Sequence, residues 1–335
     1  MPSIIVDDAG TELYYIDSGA PTRPDSIQDY ITIFAIHGIV YNGAIFRNVI
    51  ELAPQSGLRI VAPNRRGYPG STPLSSEDHK VLTDGTEEQK EEFVLARAVE
   101  IATFIHRFIE IHKLPRISDD GKSGGVALLG WSLGSALAHS AISSVDSMPD
   151  AIQSGFKQYM RALILFAYAW YPLMDTSLPL SARWKMFTQW ITSYFAHGDL
   201  SKRDLNLLSH FVPATFRPPS IFSMSTEQIA EMVCESTAIT SDSPFTLRFS
   251  QQMLASHRKA FFDKELRQRV PHMKVWVLVG DSTGALAFPA FWNLQDEDAQ
   301  SGGGFINFRT IKGVNHFMHW DDPQVAIDHY FEAVA

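Results

Sequence analysis

The chain has 335 residues, 45% of them hydrophobic and 19% charged, with a net charge of −9, the balance of a folded protein large enough to bury a substantial core. That acidity, with no long basic run, argues against nucleic acid or an anionic membrane as the main partner. The one cysteine, Cys234, excludes an intrachain disulfide and a thiolate metal cluster.

The first residues, MPSIIVDDAGTELYY, lack the basic flank and apolar run of a secretory signal, and no apolar run reaches bilayer-spanning length. The expected location is therefore the cytoplasm, without membrane insertion. Ser3–Val6 and Glu12–Asp17 read as strands joined by an Asp8-Ala9-Gly10 turn. A polar linker over Pro21–Asp29 precedes the β-branched and aromatic strand Ile31–Ile36, which runs into His37-Gly38. Leu58–Ala62 is the next strand, followed by Pro63–Ser71, a loop dense in turn formers. Thr86–Ile111 is the clearest long helix, acidic in its first turns.

The stretch Gly124–His139 contains Gly130-Trp131-Ser132-Leu133-Gly134, a G-x-S-x-G sequence between an apolar strand and a helical pattern. Val126–Leu129 suits a buried strand, and from Leu133 the apolar residues recur at helical spacing through Ala136, Leu137, Ala141, Ile142 and Val145. A strand turning at once into a helix nearly brings together the residues two before and two after the turn, where a β-carbon would clash. Ser132 then stands at the tip of a strained turn with its hydroxyl exposed and a helix N-terminus beneath it.

Ala162–Tyr168 is another buried strand, after which strand–helix alternation stops. From Pro172 to about Val270 lie helix-like pieces at Ala182–His197, Lys202–Phe211, Thr226–Cys234 and Pro244–Leu266, rich in aromatics and broken by prolines, which read as an insertion lying over the site. The sheet resumes with Lys274–Val279 and Phe305–Ile311, separated by the helix Phe288–Gln300, and Val325–Ala333 is a terminal helix introduced by Pro323. Alternating helices and continuously apolar strands indicate an α/β protein with a mostly parallel sheet covered on both faces.

His37-Gly38, Arg66-Gly67-Tyr68-Pro69-Gly70-Ser71, the serine turn, and Gly313-Val314-Asn315-His316 followed by Asp321 and Pro323 occur in an order and spacing that resemble the α/β-hydrolases of the epoxide-hydrolase and lactonase-like branch. That resemblance implies an α/β-hydrolase core over 1–170 and 271–335 and a helical cap over 171–270. It further implies Ser132 as nucleophile and His316 as its base, with His319 the rival three residues later. The oxyanion would be received by the backbone N–H groups of Leu133 and Ile39. His37 reads as a structural residue holding that loop, and Asn64, Arg65 and Arg66 as loop braces or substrate-binding groups.

The acid departs from the family pattern. Three residues beyond Gly280, where relatives place an aspartate, stands Thr283, and the other family position, near Ala169-Trp170, carries no carboxylate. Asp281 is the expected acid, with Asp175, some other carboxylate or a Ser–His diad as alternatives. Losing the carboxylate costs serine proteases about 10⁴ in turnover, which weakens the case for amide hydrolysis more than for an activated ester. Trp170, Tyr171 and Trp184 in the insertion and its flank, and Phe317 and Trp320 beside the base, are the expected walls of an apolar pocket.

The expected activity is cofactor-independent and metal-free hydrolysis of a carboxylic ester, lactone or thioester of a medium-sized hydrophobic molecule. The alternatives are a carbon–carbon bond hydrolase acting on a β-diketone, and a low-turnover ligand-binding protein on the same frame. Serine in place of an aspartate nucleophile separates the chain from epoxide hydrolases and haloalkane dehalogenases, and the missing G-x-G-x-x-G turn separates it from dinucleotide-binding proteins.

Overall fold

The computed structural model of the chain describes residues 2–21, 30–166 and 187–335. Eight strands form one sheet: β1 (Ser3–Ile5), β2 (Glu12–Asp17), β3 (Ile31–Ile36), β4 (Leu58–Pro63), β5 (Val126–Trp131), β6 (Met160–Phe166), β7 (Lys274–Gly280) and β8 (Asn307–Ile311). Their spatial order is β1-β2-β4-β3-β5-β6-β7-β8. β1, β2 and β4 pair antiparallel, and every pairing from β4 through β3 to β8 is parallel. The central strands β3, β4, β5 and β6 are buried along their whole length, which is why they read as unbroken apolar runs.

Two apolar layers cover the sheet. Helices Glu87–His112, Leu133–Ser143 and Ser250–Phe262 pack on one face, and helices Arg47–Leu52 and Pro323–Val334 on the other. The long helix begins where its sequence says, because Thr86 and Gln89 form a reciprocal capping box at its N-terminus. Three shorter helices, Arg47–Leu52, Ser76–Asp84 and Asp150–Tyr159, were not expected. Of these, Ser76–Asp84 does carry a readable start in the Ser75–Asp78 capping box.

Between β6 and β7 the described residues 187–270 hold no strand of the main sheet and several short helices, an inserted helical cap. Here local chemistry cuts the expected long pieces. The helix expected over Lys202–Phe211 is replaced by single turns at Leu200–Lys202 and Leu205–Leu207. Asp199 and Asp204 accept the N–H groups of Ser201 and Asn206, two residues ahead, a competitor to helical bonding. The Pro244–Leu266 helix is divided into Ser243–Arg248, Ser250–Phe262 and Lys264–Arg269; the last begins anew because Asp263 caps Glu265 and Leu266. The helix expected to reach His197 ends at Ile191.

Candidate active site

Ser132 follows the last residue of β5 and precedes the helix Leu133–Ser143, with φ 55° and ψ −124°. A non-glycine residue with that backbone is strained, and the surroundings enforce it. A β-carbon on Gly130 would lie 2.4 Å from the Ser135 Cα, and one on Gly134 would lie 2.1 Å from the Ile36 carbonyl oxygen. The backbone is pinned on both sides as well, since Ser132 N–H donates to the Phe166 carbonyl at 3.0 Å and Ser135 N–H to the Ser132 carbonyl at 2.9 Å. The turn therefore presents Ser132 at the C-terminal edge of the sheet.

His316 reaches the same edge from the loop after β8. The Trp131 indole N–H donates to the His316 carbonyl at 2.8 Å, and the two rings lie 5.4 Å apart. The base candidate is thus seated on the residue immediately before the serine. Burial pushes its pKa down to about 3, so the imidazole is neutral at ordinary pH, the form that can take a proton. No hydrogen bond joins the Ser132 hydroxyl to the His316 ring; a contact between a nucleophile and its base often tightens only when substrate binds. His319, the rival, is fully buried among Phe46, Trp131 and Phe317, with neither ring nitrogen hydrogen-bonded among the described residues.

The loop after β3 lies against the serine. A β-carbon on Gly38 would fall 2.9 Å from Ser132 Cβ, and Ile39 follows directly. Leu133 is the first residue of its helix, so its N–H has no intrahelical acceptor. Val40 adopts φ 72° inside a three-residue turn closed by Tyr41 N–H donating to the Ile39 carbonyl at 2.8 Å, a strained geometry for a β-branched side chain.

His37 braces this loop. The Arg65 N–H donates to its Nε2 at 3.0 Å, which assigns the neutral ring's proton to Nδ1, 3.1 Å from the Gly38 carbonyl. The triplet after β4 braces too. Asn64 accepts from Gly43 N–H and donates to the Pro69 carbonyl, Arg66 pairs with Glu100 and Asp78, and Arg65 pairs with Asp242 of the cap.

A cap segment is fastened to the loop that carries His316. Asn315 donates to the Thr192 carbonyl and to Ser220 Oγ and accepts from Phe317 N–H. Asp321 accepts from the Tyr194 and Ser220 hydroxyls at 2.7 and 2.5 Å. A cavity of about 380 Å³ lies beside this seam, lined by Arg217, Ser220, Trp320 and Asp321 among others.

Residues 33–328, which include the strained serine turn and the late histidine, match the family described as the Alpha/beta hydrolase family. The chain belongs to that family. Among solved structures it is similar to the thioesterase domain from the curacin biosynthetic pathway, with 15% identity, 100% of this chain and 99% of that one covered, and a TM-score of 0.53. It is also similar to an esterase from Exiguobacterium antarcticum, with 15% identity, the same coverage of both chains and a TM-score of 0.50. At such identity the likeness is one of fold. No curated protein matches it.

Two of the expected site residues make other contacts in this alpha/beta hydrolase. Asp281 accepts from the Gly313 N–H at 2.7 Å and from the Ser282 hydroxyl at 3.1 Å; its carboxylate braces the turn that leads to His316 and is not hydrogen-bonded to the imidazole. The reason is register: Asp281 lies beside Ile311, and Ser282 beside Val314, through backbone bonds, so the side chain meets the turn before it can meet the ring. Thr283, where the family places its acid, is buried with a hydroxyl that has no partner among the described residues. Phe317 is fully buried, edge-on to Tyr41 and Trp131, which puts it in the core and not on an open wall. Trp320 lines the cavity beside the cap seam, whose lining includes neither Ser132 nor His316, and its indole N–H donates to the Ser223 hydroxyl.

Trp170, Tyr171, Asp175 and Trp184 lie outside the described residues. Among the described residues no cluster of His, Cys, Asp and Glu could hold a metal ion, and no helix is long and apolar enough to cross a membrane. The residue that sequence reasoning missed is Asp242, an acid in a polar cap segment whose role depends on a partner 177 positions away.

Proposed function

We propose that this protein is a serine hydrolase that cleaves a carboxylic ester, lactone or thioester of a medium-sized hydrophobic molecule through an acyl-enzyme. The observation that carries this reading is the backbone of Ser132, held at φ 55° and ψ −124° by glycines on either side. Strain of that kind persists only where surrounding structure over-determines it, and it is concentrated at functional sites.

In this reading Ser132 Oγ attacks the carbonyl carbon while neutral His316 takes its proton. The N–H groups of Ile39 and Leu133 receive the negative charge on the carbonyl oxygen. His316 then protonates the leaving oxygen or sulfur, and activates a water that releases the acid. With no carboxylate hydrogen-bonded to His316 among the described residues, the imidazolium formed in the first step is less stabilised than in a full triad. That favours substrates with good leaving groups.

A fluorophosphonate probe tests the reading. The wild type is expected to be covalently labelled and Ser132→Ala to remain unlabelled, by intact-mass spectrometry. A folded wild type that resists a small probe would remove the proposal's basis. A panel of esters, lactones and thioesters beside β-diketones then separates acyl transfer from carbon–carbon bond cleavage.

A further inference from the structure

The peptide unit between Gly38 and Ile39 has two ends with different uses. Its N–H, on Ile39, is the oxyanion donor of the mechanism above, and the inference here rests on that reading. Its C=O, on Gly38, accepts from Arg65 Nη2 at 2.9 Å and faces the protonated Nδ1 of His37 at 3.1 Å. Because the peptide is planar and trans, holding the oxygen fixes the direction of the N–H on the opposite side. A cation on the oxygen also draws electron density from the amide and makes its N–H a better donor, as in any hydrogen-bonded chain.

Arg65 is itself held from the cap. Its two Nη atoms donate to the two carboxylate oxygens of Asp242 at 2.9 and 2.8 Å, and the Tyr68 hydroxyl donates to Asp242 at 2.5 Å. The guanidinium lies over the Tyr68 ring at 4.7 Å. Both partners are buried, with side-chain exposures of 11% and 1%. Asp242 ends a five-residue π-helical turn, Ala238–Asp242, a rare geometry concentrated at functional sites. The chain just before it clamps the far side of the same loop: Cys234 N–H donates to the Val40 carbonyl, Asn42 N–H donates to the Met232 carbonyl, and Tyr41 bridges to Val233.

We infer that Arg65, anchored by the cap residue Asp242, is a positioning residue for the oxyanion hole, aiming and polarising the Ile39 N–H through the Gly38 carbonyl. The cap then does more than cover the substrate. It supplies the carboxylate that completes the charge-stabilising half of the site.

The test is the kinetics of fluorophosphonate labelling, resolved into the probe's binding constant and its rate of bond formation, since the phosphoryl oxygen occupies the oxyanion hole as the bond forms. Arg65→Lys keeps a positive charge but loses the planar fork in which Nη2 donates to both Asp242 and the Gly38 carbonyl while Nη1 holds the second carboxylate oxygen, so the carbonyl is no longer held in a fixed direction. The double variant Arg65→Met/Asp242→Leu removes both charges and leaves no stranded carboxylate. Removing one oxyanion donor outright costs about 10² to 10³ in rate, so misaiming one is expected to lower the bond-forming rate about 10- to 100-fold. Probe binding should change by less than about threefold.

The ratio of phosphoryl to thiophosphoryl probe reactivity should fall with it, because sulfur accepts hydrogen bonds poorly; general loosening of the fold would slow both probes alike. Variants that keep their circular dichroism and label within twofold of wild type overturn the inference and leave the serine reading standing. An unlabelled wild type overturns both.

Discussion

His316 and His319 lie three residues apart in the same aromatic surroundings, yet chemistry separates them. His316 is attached through its carbonyl to Trp131, whereas His319 is enclosed and neither of its nitrogens has a partner among the described residues. A buried polar group without a partner is a cost that an apolar residue of similar size avoids. His319→Leu is therefore expected to raise stability by about 1 kcal/mol, read as the urea midpoint, and to leave Ser132 labelling near wild type. His316→Ala should abolish labelling.

In the proposed mechanism His316 also sets the pH dependence. A base must be neutral to accept the serine proton, and burial holds His316 at about 3. A histidine at its ordinary pKa would lose about 30-fold in neutral fraction by pH 5. The labelling rate of the folded protein should instead stay nearly flat from pH 8 to pH 5.

The strand–turn–helix at Ser132 is legible in sequence because its requirement is steric and local. The glycines mark where backbones converge, although only the structure shows that Gly134 meets β3. An alanine there would drive its methyl into the Ile36 carbonyl at 2.1 Å, and a backbone atom cannot move aside. Gly134→Ala is expected to destabilise the protein by about 3 kcal/mol or more and to eliminate labelling, measured as a fall in melting temperature together with the loss of the probe adduct. Cap elements were less legible for an equally local reason. Asp199, Asp204 and Asp263 compete for backbone N–H groups and restart the chain every few residues, so apolar spacing overestimates helix length.

At the scale of the whole molecule, the buried histidines couple folding to protonation. His37, His139, His316 and His319 are all held below their ordinary value, first of all by burial. The unfolded chain takes up protons near pH 6.5 that the folded chain refuses. Stability is therefore full above about pH 6.5 and is lost as pH falls toward the folded values. Each such histidine steepens the loss by about 1.4 kcal/mol per pH unit. Urea midpoints at pH 7.5 and 5.5 should differ accordingly, and replacing His319 with leucine should flatten the slope by one proton. The acid also opposes the flat labelling profile through unfolding, which circular dichroism at each pH keeps distinct.

The amino-acid order determined what depends on near neighbours: the apolar runs that became the parallel strands, the Thr86 capping box, and the glycines that force a bend at Ser132. Tertiary structure decided what depends on contacts across the chain. The Asp281 carboxylate was legible as an acid near the right strand, but pairing of β7 with β8 turned it toward Gly313. Asp242 was unremarkable in sequence, and became a partner of Arg65 only because the cap folds back on the loop after β3. Charges that meet across 177 positions leave no periodicity or spacing to read; their meeting is set by the packing of every element between them.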